Sequence, residues 1–307
     1  MLIMIGRLKN KTQLLFVLIF ISCSSSRKHK IMEATISKEE LKQTRTFFNS
    51  LGAIYPPSDG VTVDKERING IVTYTFSPQD AKQNKILLYA HGGSFALGGI
   101  ESHKAFMSHF AKNTHTKIIL VAYGLAPEYP YPHGIKDFKS VYQEVCTRNK
   151  EKSIFVGGDS AGGAIVVSFI HELEKDNLSQ PDGVILISPW LNLNCNTESY
   201  VYNKDKDPIL TKTELKKYAV LYAGREKINV VAPSNLSFST FPPCLVMVGK
   251  NEILYDDGRN FAKTIKGIQP NSDFLEFEEV THVWPLTNIS SRPTQKLFKK
   301  INGFLNH

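Results

Sequence analysis

Ser160 stands in the run Gly158-Asp159-Ser160-Ala161-Gly162, a match to G-x-S-x-G. The apolar run 154–157 precedes it and a helix-forming run follows. Glycine within regular structure costs roughly 0.5–1 kcal/mol against alanine, so glycines crowded around one serine signal an unusual backbone. At such a strand-to-helix elbow neither neighbour can be bulky, and the hydroxyl projects above the strand tip beside the unpaired N–H groups of a helix start. That geometry suits a nucleophile. A serine hydroxyl needs a general base, and the base needs a partner to orient it.

In α/β-hydrolases the chain order is serine, acid, histidine. Only His282 and the terminal His307 follow any candidate acid, and a chain end frays, which leaves His282 in "VTHVWPL". The acid is expected on the loop after the strand "CLVMVG", where Glu252, Asp256 and Asp257 are available. Glu252 comes first off the strand and is favoured. Asp256 and Asp257 open the next helix, where an N-terminal electrostatic role is the alternative. Charge developing on a carbonyl oxygen needs preorganised donors. Gly92 and Gly93 in "YAHGGSF" bring bare main-chain N–H groups to another strand end, and with the N–H of Ala161 they would make a three-donor oxyanion hole.

The elements that must carry these residues follow from periodicity. Residues 33–51 read as an amphipathic helix ending at Gly52, with Ser37 and Glu40 as a capping box. Residues 60–76 read as a hairpin turning at Asn69-Gly70. Continuous apolar runs follow at 86–90, 118–122, 154–157, 184–188, 244–249 and 274–280, with helical stretches between most of them. Such a pattern implies a mostly parallel sheet of about eight strands, covered by helices on both faces. The long polar, tyrosine-rich interruption at 191–240 reads as a functional insertion. Together with the segment near 33–58 it is expected to form a helical lid.

Composition excludes other classes. The net charge is +8, but six of the basic residues fall in the first 30 positions, which carry no acidic residue, so the body is near balance. No basic face for nucleic acid is evident. Residues 1–30 combine a basic stretch, the apolar run 14–22 and then Cys23 before "SSS", which resembles a bacterial lipoprotein signal and tether. The expectation is export with lipidation at Cys23, with an uncleaved N-terminal anchor or a cytoplasmic protein as the alternatives, any membrane association running through this segment alone. Cys146, Cys195 and Cys244 show no metal-binding spacing and read as small buried hydrophobes. No metal or cofactor is expected. The domain expectation is a 1–30 leader and one domain over 31–307.

Together these motifs resemble the hormone-sensitive lipase-like family of α/β-hydrolases. Its HGGG motif appears as His91-Gly92-Gly93-Ser94, its GDSAGG motif is intact at 158–163, its YRLAPE block appears in "AYGLAPEYPYP" (122–132), and its histidine motif is "HVWP" (282–285). The resemblance implies an α/β-hydrolase fold and a serine carboxylesterase acting on short-to-medium acyl esters. It also allows a homodimer through an edge strand. The same machinery would serve a deacetylase of sugars or cell-wall polymers, or an amidase. A non-catalytic ligand-binding protein, like the plant gibberellin receptors that resemble this family, is the reading from another class; those lack the histidine. Three departures stand out. Gly124 replaces the usual arginine, which would leave that loop looser; Ser94 replaces the last glycine; Glu252 stands where most members carry aspartate. Asp159 is expected to support the elbow, and Glu128 and Asp137 the neighbouring loop.

Overall fold

The computed structural model describes residues 36–306 apart from Gln83. The leader and Cys23 lie outside the described residues. The chain enters through helix α1 (Lys38–Ser50), capped by Ser37, whose hydroxyl accepts from Glu40 N–H at 3.1 Å. Strands β1 (Val61–Ile68) and β2 (Ile71–Pro78) form the hairpin, with Asn69 and Gly70 both at positive φ in the turn. Strand and helix then alternate: β3 (Lys85–Ala90), α2 (Ile100–Thr114), β4 (Lys117–Val121), α3 (His133–Arg148), β5 (Ser153–Asp159), α4 (Ala161–Lys175) and β6 (Gly183–Ile187). The insertion carries α5 (Ser199–Tyr202), α6 (Lys212–Ala223) and α7 (Ile228–Val231). The chain closes with β7 (Cys244–Gly249), α8 (Tyr255–Ile268), β8 (Asp273–Phe277) and α9 (Arg292–Phe304).

The eight strands form one sheet in the order β1-β2-β4-β3-β5-β6-β7-β8. Only the β1–β2 and β2–β4 pairings are antiparallel. Every residue of β6 and β7 is buried, as it must be where helices cover both faces. Alternate side chains feed two cores. Leu88, Val156, Leu186 and Val246 join Phe138, Phe169 and Ile265 on one face. Leu87, Tyr89, Ile185 and Met247 join Phe106, Phe110 and Phe298 on the other. Removing one such side chain to alanine typically costs about 2–5 kcal/mol, so both faces are needed to hold the strand tips still.

The end of the last strand differs from the sequence reading. The last strand ends at Phe277 rather than running to 280. Glu279 and Val283 then take positive φ (52° and 44°), bending the chain into the loop that carries His282. The insertion is fastened down as well as packed. Asp257 accepts from the N–H groups of Leu191 and Asn192, Asp256 from Ser199 N–H, and Asp207 from Ile253 N–H. Asn203 donates to the carbonyls of Lys250 and Glu252. Leu215, Ala219 and Tyr222 of α6 belong to the same core cluster as Phe95 and Trp190. Cys195 and Cys244 are buried free thiols, and burial pushes the Cys195 thiol up to about 11.

Candidate active site

The tip of β5 turns straight into α4 through Ser160, at φ 50° and ψ −121°. A non-glycine residue in this region costs roughly 1–3 kcal/mol and persists only when its surroundings over-determine it. Here Ser160 N–H donates to Ile187 O at 3.0 Å, and Ser160 O accepts from Gly163 N–H (3.1 Å) and Trp190 N–H (3.0 Å). The glycines answer to close packing. A Cβ on Gly158 would lie 2.5 Å from Gly162 C, and one on Gly162 would lie 2.1 Å from Ala90 O.

Ser160 Oγ lies 2.9 Å from His282 Nε2, and His282 Nδ1 lies 2.8 Å from Glu252 Oε2. The three side chains that chain order singled out therefore form one line above the strand tips. Glu252 is 1% exposed, and its other oxygen accepts from Gly249 N–H (2.6 Å) and Ser188 Oγ–H (2.7 Å). Those donors, with His282, hold its carboxyl, although burial drives it upward overall. Burial pushes the His282 imidazole down, but the hydrogen bond and charge of Glu252 outweigh it, so the net shift is upward. Asp256 and Asp257 point into the insertion as described, away from the imidazole; burial raises Asp257 to about 7.

The oxyanion loop corrects one expectation. Gly92 N–H is already spent: it donates to Asp159 Oδ1 at 3.1 Å. A Cβ there would sit 2.2 Å from Asp159 Oδ2, so Gly92 is glycine to admit that carboxylate. Among the described residues, no protein group accepts from the N–H of Gly93, Ser94 or Ala161. The available donors are thus shifted one residue along the motif from Gly92 and Gly93. Gly93, Ser94 and Phe95 form three consecutive positive-φ positions (120°, 52° and 62°), which bend the chain back so that Gly93 O accepts from Ala96 and Leu97 N–H.

Behind this loop lies a buried polar layer. Asp159 supports the loop rather than the elbow itself. His103 Nε2 lies 3.4 Å from the Asp159 carboxylate, and Ser102 Oγ lies 2.8 Å from His103 Nδ1. Burial opposes ionisation of Asp159, but His103 and its neighbours hold it below the ordinary carboxylate range. Burial lowers His91 to about 4, so its imidazole is neutral at pH 7 and its Nδ1–H donates to Gly92 O at 2.8 Å. Tyr123 O–H donates to His91 O (2.6 Å) while its ring stacks on His91 at 4.5 Å.

The loop around Gly124 is not left untied by its missing arginine. Gly124 N–H donates to Asp137 at 2.8 Å, and a Cβ there would lie within 2.8 Å of both Tyr129 and His133. Arg45 from α1 reaches Glu128 instead. Sequence reasoning missed Ser188, Arg45 and His103. Ser188 carried a signal, since it sits at a strand's carboxyl end, where sites gather. Arg45 and His103 carried none.

Comparison with known proteins agrees with this architecture. Residues 87–286 match the family model described as alpha/beta hydrolase fold. An esterase of Acinetobacter venetianus is 32% identical over 224 residues, covering 71% of this chain and 73% of the relative. An acetyl-hydrolase of Streptomyces hygroscopicus is 30% identical over 240 residues, covering 77% and 78%. A solved esterase of the bacterial hormone-sensitive lipase family superposes with TM-score 0.84 at 26% identity, covering 89% of this chain and 93% of that one. The chain belongs to the α/β hydrolase family, in its hormone-sensitive lipase-like branch.

Proposed function

We propose that this carboxylic ester hydrolase works through a Ser160–His282–Glu252 triad and acts on short-to-medium acyl esters. The observation that carries the reading is the unbroken line from Ser160 Oγ through His282 to Glu252, at 2.9 and 2.8 Å. With Nδ1–H donated to Glu252, the imidazole presents a bare Nε2 to the serine hydroxyl. His282 takes that proton as Oγ bonds to the ester carbonyl carbon, and Glu252 stabilises the imidazolium. The carbonyl oxygen becomes an oxyanion facing the N–H groups of Gly93, Ser94 and Ala161. Losing one such donor typically costs about 2.7–4 kcal/mol. Collapse of this intermediate expels the alcohol, protonated by His282. Water, deprotonated by the same imidazole, then attacks the acyl-serine and frees the acid.

The name of the Streptomyces relative favours an acetyl group as one acyl substrate. Removal of acetyl groups from sugars or polymers would use the same steps, so a panel of acyl lengths and acetylated sugars separates the two. Ser160→Ala should abolish turnover of p-nitrophenyl acetate and butyrate and prevent labelling by a fluorophosphonate probe. A variant that keeps near wild-type turnover would refute the nucleophile assignment.

A further inference from the structure

We propose that Arg45, on helix α1, is a positioning residue that holds the oxyanion loop in its working shape. The proposal rests on the reading of Gly93, Ser94 and Ala161 as the oxyanion donors.

Arg45 engages both the oxyanion loop and the loop that lacks the family arginine. Its Nε–H donates to Ala96 O at 2.8 Å, two residues beyond Ser94. One Nη2–H donates to Ala126 O at 2.9 Å. Glu128 receives two further bonds, from Nη1 to Oε1 at 2.8 Å and from Nη2 to Oε2 at 2.7 Å. The guanidinium thus uses four N–H groups in one plane, a fork that a lysine ammonium does not reproduce.

The loop it grips needs holding. Gly93, Ser94 and Phe95 all sit at positive φ, and two of the three carry a Cβ. Such a run relaxes unless it is anchored at both ends. Asp159 anchors the first end through Gly92 N–H. At the far end, Arg45 holds Ala96 O, while Phe95 O accepts from Ala126 N–H, the residue whose own carbonyl Arg45 also holds. Arg45 therefore closes a ring through Ala96, Phe95 and Ala126. An exposed ion pair with Glu128 alone would do little, but the two carbonyl bonds tie it to backbone beside the reacting centre. The charged pair also holds the Glu128 carboxyl below its usual range.

Arg45→Ala and Arg45→Lys in the full chain test this on p-nitrophenyl acetate, well below each variant's melting midpoint. A misplaced donor acts on the transition state, so kcat should fall about tenfold or more in Arg45→Ala with KM within about threefold of wild type. Arg45→Lys keeps the charge and most of the helix packing, and should recover little of kcat. Guanidinium chloride at about 20 mM, far below denaturing levels, should restore part of the kcat of Arg45→Ala and none to wild type. A kcat within about twofold of wild type in Arg45→Ala would overturn the role, as would a reduced kcat that guanidinium leaves unchanged. If wild type fails to hydrolyse esters, or Ser160→Ala retains turnover, the esterase reading fails. An active wild type matched by Arg45→Ala sinks only the positioning role.

Discussion

Ser188 donates its hydroxyl to Glu252 Oε1 at 2.7 Å, on the oxygen that does not face His282. Ser188 itself sits at φ 47°, just past β6, and its Oγ also lies 3.4 Å from Val283 N, next to the imidazole. One hydroxyl thus touches both Glu252 and the chain beside His282. Ser188→Ala removes a charged-acceptor bond worth about 1.5–3 kcal/mol, and a kcat about tenfold lower, with KM little changed, is expected. Steady-state kinetics on p-nitrophenyl butyrate check it; wild-type kcat would show that Gly249 N–H suffices to hold Glu252.

The pH dependence follows from the upward shift of His282. A general base works only when neutral, so a raised pKa moves the rising limb of activity to higher pH. The limb of kcat/KM for a neutral ester, followed from about pH 5 to about pH 9, should have its midpoint above the ordinary histidine value of about 6.5. Glu252→Gln removes the charge that raises the imidazole, so the midpoint should fall. An amide can also donate to Nδ1 and favour the wrong tautomer, and kcat should drop by roughly 10³–10⁴. A midpoint at or above the wild-type value in Glu252→Gln would contradict the assignment of the acid.

Asp159 anchors the oxyanion loop through Gly92 N–H. Asp159→Ala strands that buried N–H and loosens the loop, and kcat is expected to fall between about tenfold and a hundredfold. Asp159→Asn keeps an acceptor oxygen of the same shape and should recover most of the loss if hydrogen bonding, rather than charge, holds the loop. Equal losses in the two variants would assign the effect to charge.

Gly162→Ala tests the elbow's packing. The added methyl would meet Ala90 O at 2.1 Å, a backbone atom of the central strand β3 that has no rotamer in which to retreat. Destabilisation of about 3 kcal/mol or more, seen as a lowered denaturation midpoint or loss of soluble protein, is the expected outcome. A variant as stable as wild type would mean that the elbow can open by a rigid shift of α4.

Much of this was legible in the residues. Strand and helix order followed from apolar runs, because strands covered on both faces cannot carry polar side chains. The meeting of Ser160 with His282 followed from glycine crowding and chain order. That Glu252, and not Asp256 or Asp257, lies beside His282 followed from its being first off the strand. The donor register was not legible. Nothing in "HGGSF" indicates that Asp159 captures the first glycine's N–H, since that bond spans 67 positions in the chain. The substitute for the arginine absent at 124 was hidden for the same reason: it lies 81 positions away from Ala126, on a helix whose pattern speaks only of burial.

The grip of Asn203 and Asp207 on the backbone around Glu252 divides the insertion into two parts with different freedoms. Asn203 and Asp207 are bolted to the loop that carries Glu252, so edits at those two positions reach the imidazole of His282 through its partner. Residues 224–240 make no such bonds to the acid loop among the described residues. That second stretch is fastened elsewhere, with the N–H groups of Ser239 and Thr240 donating to Glu174 near the end of α4 remote from Ser160, so it can be lengthened, trimmed or recharged while the Ser160–His282–Glu252 line stays as it is.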